Sequence, residues 1–126
     1  FNITVEEAID IVLFSLINSI GGEIFIPKIP SYKIMDLAKA IGPDCNYQVT
    51  GIREGEKIHE EMITSADSLN TYDIGLYYCI VPNTCSFNIR KFEDNYNAKK
   101  VEEGFSYKSN TNTEWLSIDQ LRGFIA

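Results

Sequence analysis

Residues 4–27 have the sequence TVEEAIDIVLFSLINSIGGEIFIP, which predicts a helix followed by a short strand. Thr4 and Glu7 form the T-x-x-E pattern of a capping box, whose side chains bond the first free backbone N–H groups of a helix. Apolar residues then recur at helical spacing until the pair Gly21-Gly22 stops the helix. Residues 24–26 are β-branched and aromatic, as expected for a buried strand. This succession indicates an α+β chain.

The remaining elements are predicted to be short and to continue the α+β pattern. Turn and cap residues mark two helices: one capped by Ser31 and ended by Gly42-Pro43, and a last one opened by the capping box of Ser117 and Gln120. The other predictions are a strand over residues 47–52, a helical turn within Lys57–Met62, a loop over Ser65–Gly75, a strand over Leu76–Val81, and a mostly irregular stretch over 83–114 with a strand near Phe105–Tyr107.

Composition and charge disfavour several kinds of partner. The 126 residues are 44% hydrophobic and carry a net charge of −7, which suits one globular domain or half of a larger one. Excess negative charge disfavours binding to nucleic acid and to anionic membranes, and no apolar run approaches a membrane span. Three scattered cysteines and one histidine indicate neither a disulfide framework nor a metal site. We therefore expect reduced thiols and a cytoplasmic protein.

The densest group of chemically capable residues is the segment 51–61, GIREGEKIHEE. A strand that ends at Arg53 before a glycine turn suits a diphosphate, because a guanidinium offers paired donors to phosphate oxygens. Glu56 could accept hydrogen bonds from ribose hydroxyls. The plain alternative is a solvated charged turn. His59 could shuttle protons among its neighbouring carboxylates, although a lone surface histidine is more often inert.

The sequence shows no complete catalytic motif. Tyr96 and Lys100 match the Tyr-x-x-x-Lys spacing of short-chain dehydrogenases, but their segment has no apolar helical face and follows no dinucleotide fold, so we interpret the match as coincidence. No glycine-rich dinucleotide or P-loop fingerprint occurs.

Several motifs in order resemble one enzyme family. They are Gly21–Ser31 (GGEIFIPKIPS), Asp36-Leu37-Ala38, Gly51–Glu60 (GIREGEKIHE) and Asn112–Leu116 (NTEWL). Together they resemble the C-terminal part of the inverting UDP-N-acetylglucosamine 4,6-dehydratases of pseudaminic acid biosynthesis, which belong to the extended short-chain dehydrogenase/reductase superfamily. The resemblance covers nearly the whole chain and is weakest over residues 83–108.

The resemblance implies that residues 1–126 form a single small substrate-binding lobe and that the Rossmann domain is missing. The chain also starts without Met, inside an amphipathic pattern, as expected of a piece of a longer protein. NADP and the catalytic residues would then lie in the missing N-terminal domain, and the piece alone would be inactive. The full-length enzyme, a lyase, would convert a UDP-sugar to a 4-keto-6-deoxy sugar nucleotide with C5 inverted, for polysaccharide or flagellin glycan biosynthesis. A homo-oligomer is also expected.

The resemblance assigns Arg53 to the substrate diphosphate and Glu56 to the uridine ribose. The family commonly has proline where Glu54 stands, so this turn loses a φ constraint and gains a negative charge. Two alternatives stay open: the lobe of a nucleotide-sugar epimerase or reductase, and a stand-alone interaction module without catalysis. If the first domain is missing, helix 5–20 should expose apolar surface, because it is apolar nearly all round.

Overall fold

A computed structural model describes residues 1–125 of the chain. Contacts divide these residues into two compact units, each built from separate stretches. One, the helical unit, contains residues 1–2, 29–60 and 108–125; the other, the sheet unit, contains Ile3–Lys28 and Glu61–Tyr107. The elements are helices α1 (Val5–Asn18), α2 (Ile34–Ile41), α3 (Ile89–Tyr96) and α4 (Ile118–Ile125), strands β1 (Ile24–Pro27), β2 (Glu61–Ile63), β3 (Thr71–Asp73), β4 (Tyr77–Ile80), β5 (Lys99–Lys100) and β6 (Tyr107–Lys108), and a 3-10 turn (Asp67–Asn70).

Helix α1 begins where the capping box predicts. The Thr4 hydroxyl accepts a hydrogen bond from the Glu7 N–H at 3.2 Å, and the Glu7 carboxylate accepts one from the Thr4 N–H at 2.8 Å. The helix ends at Asn18, slightly before the predicted glycine stop, because Ser19 is already extended. Phe14 lies against Phe25 and Tyr77 with ring centroids 5.3 and 4.7 Å apart. These aromatic contacts fix one side of the helix on the sheet unit.

An antiparallel four-stranded sheet forms the centre of the sheet unit. Its order is β1-β4-β3-β5, and Phe25 of β1 and Tyr72 of β3 both pair with Cys79 of β4. The predicted strands at 24–26 and 76–81 are confirmed. The predicted loop over Ser65–Gly75 is wrong, because it contains the 3-10 turn and β3. Three residues in a polar stretch give too little periodicity to indicate a strand.

Helix α3 was not predicted, although most of the stretch 83–114 around it is irregular, as expected. The Asn88 side chain caps it by accepting a hydrogen bond from the Lys91 N–H at 3.1 Å. Phe92 is fully buried and packs edge-on against Tyr72, with centroids 5.6 Å apart. The signal was an asparagine cap followed by Ile89, Phe92 and Tyr96 on one helical face.

The three cysteines are free thiols. Cys45 and Cys85 are exposed, whereas Cys79 is fully buried in the core of the sheet unit. Burial, with a smaller contribution from Glu23, raises the pKa of the Cys79 thiol to about 12. Cys79 is therefore a packing residue and not a nucleophile.

The helical unit packs α2 against α4 around Ala40, Leu116 and Leu121. The Ser117–Gln120 capping box is confirmed, since each residue's side chain accepts the other's backbone N–H at 2.8 and 3.3 Å. Helix α2 ends before Gly42, as predicted.

The assignment of Ser31 as the cap of α2 is wrong. Ser31 is fully buried and forms a parallel bridge with Trp115, and Lys33 occupies the cap position of α2 without a side-chain hydrogen bond. Ser31 is therefore a buried residue of the helical unit and does not cap a helix.

The segment from 43 to 60 contains neither helix nor strand, and all of its residues are exposed. The predicted strand over 47–52 is therefore wrong, because a strand needs a neighbour that supplies its hydrogen bonds. The helical turn within Lys57–Met62 is also wrong, since β2 occupies Glu61–Ile63 and joins β6 in a two-stranded sheet. Strand β6 shares Tyr107 with the strand expected near Phe105–Tyr107, and this prediction is confirmed.

Candidate functional site

Arg53 and Glu56 close one tight turn within the exposed segment. The Arg53 backbone N–H donates to the Glu56 carboxylate at 2.9 Å, and the Glu56 N–H donates to the Arg53 carbonyl at 3.1 Å. Gly51 and Gly55 have φ of 85° and 78°, in the left-handed region that favours glycine. The structure thus brings the two predicted site residues together, at the two ends of a four-residue turn.

The Arg53 guanidinium faces solvent. Within residues 1–125, no carboxylate forms a salt bridge with Arg53. Its five N–H donors are therefore available to an external anion. The Glu56 carboxylate uses one oxygen, Oε2, in the turn, which leaves Oε1 able to accept from a ligand hydroxyl.

Ser109 anchors the end of this segment and was missed by the sequence reasoning. Its hydroxyl accepts a hydrogen bond from the Glu60 N–H at 3.0 Å, and its own N–H donates to the Glu60 carbonyl at 2.8 Å. The two residues are distant in sequence, and no local pattern indicates such a pair. Nothing in a single sequence could have found this contact.

Three residues after Ser109, a part-buried hydrogen-bond network begins at Asn112 in the same unit. The Asn112 amide donates to the Ile29 carbonyl at 2.8 Å and to the Ser31 hydroxyl at 3.1 Å. The Ser31 backbone bonds to Glu114 and Leu116, at 2.9 and 2.8 Å. Residues 109–116 therefore connect the exposed segment to the α2–α4 core.

Three other residues considered from the sequence, His59, Tyr96 and Lys100, form no catalytic arrangement. His59 lies exposed on a bend of the same segment. Tyr96 is the last residue of α3, and Lys100 lies on β5, so the pair does not share a helix face. The Tyr96 hydroxyl instead donates to the Asn18 carbonyl at 2.7 Å, and burial raises the pKa of this phenol. The Tyr-x-x-x-Lys match has no catalytic geometry.

A cavity of about 470 Å³ lies in the sheet unit, and its lining does not include Arg53 or Glu56. Its lining includes Asp73, Tyr78 and Lys99. The Lys28 ammonium lies 2.7 Å from the Asp73 carboxylate and 4.5 Å from the centre of the Tyr78 ring. Burial raises the pKa of Asp73, but the hydrogen bonds from Lys28 and the Gly75 N–H outweigh it, so the net pKa is lowered. The charge of Asp73 in the cavity lining is therefore already balanced by Lys28.

Comparison with known proteins gives the family. A family model described as polysaccharide biosynthesis protein matches residues 1–82, which is most of the chain. The chain belongs to the polysaccharide biosynthesis protein family. Over 99% of its length it is 42% identical to the UDP-N-acetylglucosamine 4,6-dehydratase (inverting) of Campylobacter jejuni serotype O:23/36. This confirms the resemblance found in the sequence motifs.

Two further similarities extend beyond dehydratases. The chain is 30% identical, over 97% of its length, to the UDP-glucose 4-epimerase of Rickettsia akari. Its fold matches the X-ray structure of Pen from Bacillus thuringiensis with a TM-score of 0.75 and 25% identity, over 98% of this chain and 36% of that one. The chain spans 39% of the dehydratase and 36% of the epimerase. Both relatives are thus considerably longer than this chain.

The described residues of this family member do not fit a dinucleotide or a metal. Dinucleotide pyrophosphates bind at parallel strand–helix–strand crossovers, whereas β1 and β4, β3 and β4, and β3 and β5 all pair antiparallel. Across residues 1–125, no group of three or more His, Cys, Asp or Glu side chains could hold a metal ion. In the same residues, no helix has the length and apolar character needed to cross a membrane.

Proposed function

We propose that residues 1–126 are the substrate-binding lobe of a UDP-N-acetylglucosamine 4,6-dehydratase, a lyase that makes a 4-keto-6-deoxy sugar nucleotide with C5 inverted. The observation that carries this proposal is the 42% identity to a dehydratase of that name across 99% of the chain. The exposed turn of Arg53 and Glu56 supplies the chemistry that the proposal needs. The product would enter polysaccharide or flagellin glycan biosynthesis.

In this proposal Arg53 binds the diphosphate of the substrate. A guanidinium holds a diphosphate through two parallel N–H···O bonds, and charge assistance makes them stronger than neutral hydrogen bonds. The chain is acidic overall, with a net charge of −7, so a free cation is needed wherever a doubly charged anion binds. An arginine that no described carboxylate neutralises meets that need.

Glu56 binds the ribose hydroxyls in the same proposal. Ribose and diphosphate are covalent neighbours in a UDP-sugar, so their binding residues must also be neighbours. The four-residue turn provides this spacing, and the Glu56 Oε1 atom can accept a hydroxyl hydrogen while Oε2 holds the turn. The two side chains together select a nucleoside diphosphate over a simple phosphate.

The catalytic residues and NADP belong, in this proposal, to a Rossmann domain in the part of the family members that the chain does not span. The antiparallel sheet supports this division, because it offers no dinucleotide cradle. Residues 1–126 alone are then inactive. We further propose that the complete enzyme is a cytoplasmic homo-oligomer.

One face of α1 supports an interface with that domain. The helix has no buried residue, and Leu16 and Ile17 are 74% and 79% exposed. The same helix exposes further large apolar side chains: Val5, Ile9, Val12 and Leu13. Covering such a surface with the polypeptide that the longer family members possess would remove it from water. A domain in the same polypeptide has a high effective concentration for this contact.

The epimerase alternative rests on the 30% identity to the Rickettsia akari protein, and one experiment separates the two. The protein expressed from its complete gene is incubated with NADP and, in parallel reactions, with UDP-N-acetylglucosamine or UDP-glucose. The nucleotide sugars are separated by chromatography, which resolves epimers from substrate, and are weighed by mass spectrometry. Dehydration removes one water from the sugar, whereas epimerisation leaves the mass unchanged. Loss of one water supports the dehydratase, and an isomer of unchanged mass would reject it in favour of the epimerase. Recovery of unreacted substrate alone would reject both enzymes.

A further inference from the structure

We propose that Ser109 is a positioning residue for the turn that carries Arg53 and Glu56. The proposal rests on the proposed function of that turn and adds a residue that touches no substrate. It starts from the paired contact with Glu60, in which the Ser109 hydroxyl accepts at 3.0 Å and the Ser109 N–H donates at 2.8 Å. Ser109 thus holds Glu60 in place through one backbone hydrogen bond and one side-chain hydrogen bond.

The turn needs such an anchor because packing does not supply one. Every residue from 43 to 60 is exposed, and the segment contains no helix or strand. A segment without buried side chains samples many conformations, and ordering it on binding subtracts from affinity. Glu60 lies four residues after Glu56, so fixing Glu60 shortens the free length that follows the turn.

Ser109 can act as an anchor because Asn112, three residues further along the chain, is held by hydrogen bonds to the interior of the helical unit. Asn112 bonds the Ile29 carbonyl and the Ser31 hydroxyl, and Ser31 is fully buried. The Leu116 N–H donates to the Ser31 carbonyl at 2.8 Å. The path from the turn to the interior therefore runs through Glu60, Ser109 and Asn112.

The hydroxyl is the part of this anchor that a substitution can remove. In Ser109→Ala the backbone bond to Glu60 persists, while the Glu60 N–H loses its acceptor. The expected change is therefore local to the turn and does not unfold the helical unit. Ser109→Thr keeps a hydroxyl at the same position and is the conservative variant. Asn110→Ala, at an exposed neighbour, is the matched control.

The experiment uses the protein expressed from its complete gene and measures UDP-N-acetylglucosamine kinetics, inhibition by UDP, and hydrogen exchange of the amides from 53 to 60. We expect Ser109→Ala to raise KM and the UDP inhibition constant roughly threefold to tenfold, the range that one lost neutral hydrogen bond gives. The turnover number should not change, and amide exchange over 53–60 should accelerate. Ser109→Thr should restore all of these values, and Asn110→Ala should change none.

The outcomes separate this inference from the proposed function. If UDP fails to inhibit the unsubstituted protein, the proposed function is wrong and the role of Ser109 is rejected with it. If UDP inhibits and Arg53→Ala weakens inhibition, but Ser109→Ala changes neither KM nor exchange over 53–60, only the role of Ser109 is rejected. A lower melting temperature with unchanged KM would make Ser109 a purely structural residue and would also overturn the inference.

Discussion

Arg53 and Glu56 hold each other through two hydrogen bonds, from the Arg53 N–H to the Glu56 carboxylate and from the Glu56 N–H to the Arg53 carbonyl. Glu56 therefore has a role in shaping the turn, besides the ribose contact proposed for it. The carboxylate resembles a capping side chain, because it satisfies a backbone N–H at the start of the turn. Substitutions at position 56 must separate these two roles.

Glu56→Gln and Glu56→Ala should separate them. The Gln carbonyl oxygen can still accept from the Arg53 N–H, whereas Ala cannot, so amide exchange at Arg53 should accelerate only in Glu56→Ala. Both variants lose the charged acceptor for ribose and should raise KM for the UDP-sugar. Glu54→Gln removes a charge from the same turn and serves as control; it should not raise KM. A wild-type KM in Glu56→Gln would show that ribose binding does not need the carboxylate.

Arg53→Ala should raise KM for the UDP-sugar by about thirtyfold, since losing a charge-assisted contact costs about 2 kcal/mol. Arg53→Lys should recover part of the loss, because an ammonium keeps the charge but not the paired donors. Steady-state kinetics of the complete gene product provide the measurement.

The control for Arg53 is Arg90→Ala, which removes the same charge from an exposed position on α3. Its KM should equal that of the unsubstituted protein. Equal effects of the two alanine substitutions would mean that only net charge matters, and an unchanged KM in Arg53→Ala would remove this residue from the site.

The exposed face of α1 predicts how residues 1–126 behave when expressed alone. The chain should self-associate with rising concentration, and replacing Leu16 and Ile17 with serine should abolish the association. Light scattering after size-exclusion chromatography measures the mass. Leu76→Ser, at an equally exposed apolar residue outside α1, should leave the association intact. A monodisperse unsubstituted monomer would contradict the prediction.

The Lys28–Asp73 pair predicts a small loss of stability in acid. Burial acts to raise the pKa of Asp73, but the hydrogen bonds from Lys28 and Gly75 lower it overall. A lowered folded-state pKa stabilises the fold above the ordinary carboxyl pKa of about 4, and this contribution disappears as pH falls through the folded-state value. The Asp73 side chain is 40% exposed, so solvent screening keeps the effect small.

Thermal melts of the unsubstituted chain and Asp73→Asn test this ion pair. The melting temperatures should differ at pH 6 and converge towards pH 3, since protonated Asp73 resembles the amide. Asp119→Asn is the control, because that carboxylate pairs with Arg122 at 3.2 Å but is 90% exposed. A pH-independent difference for Asp73→Asn would show that packing, and not charge, is responsible.

Elements specified by neighbouring residues could be predicted, and those specified by distant residues could not. The capping boxes at Thr4 and Ser117 act within one helical turn, and both were correct. Residues 47–52 have strand-like side chains but no neighbouring strand to bond. Ser31 has the side chain of a helix cap, but it pairs with the distant Trp115. The anchor from Ser109 to Glu60 was invisible for the same reason.

The site pair shows the same division. Arg53 and Glu56 could be chosen from side-chain chemistry and from their spacing in one short turn, and the structure does bring them together. Their roles towards a ligand stay predictions. What the spacing could not provide was the use of the Glu56 carboxylate within the turn, because this depends on the backbone conformation set by Gly51 and Gly55.

The pairing of Phe25 with Cys79 has a consequence for synthesis on the ribosome. Strand β1 leaves the ribosome before its neighbour β4, which is made only after the entire segment that carries Arg53 and Glu56. The sheet therefore cannot close until that segment has left the exit tunnel, and the loop that must close is long. Until then the apolar residues of α1 and β1 are exposed to water in the nascent chain, where chaperones can bind them.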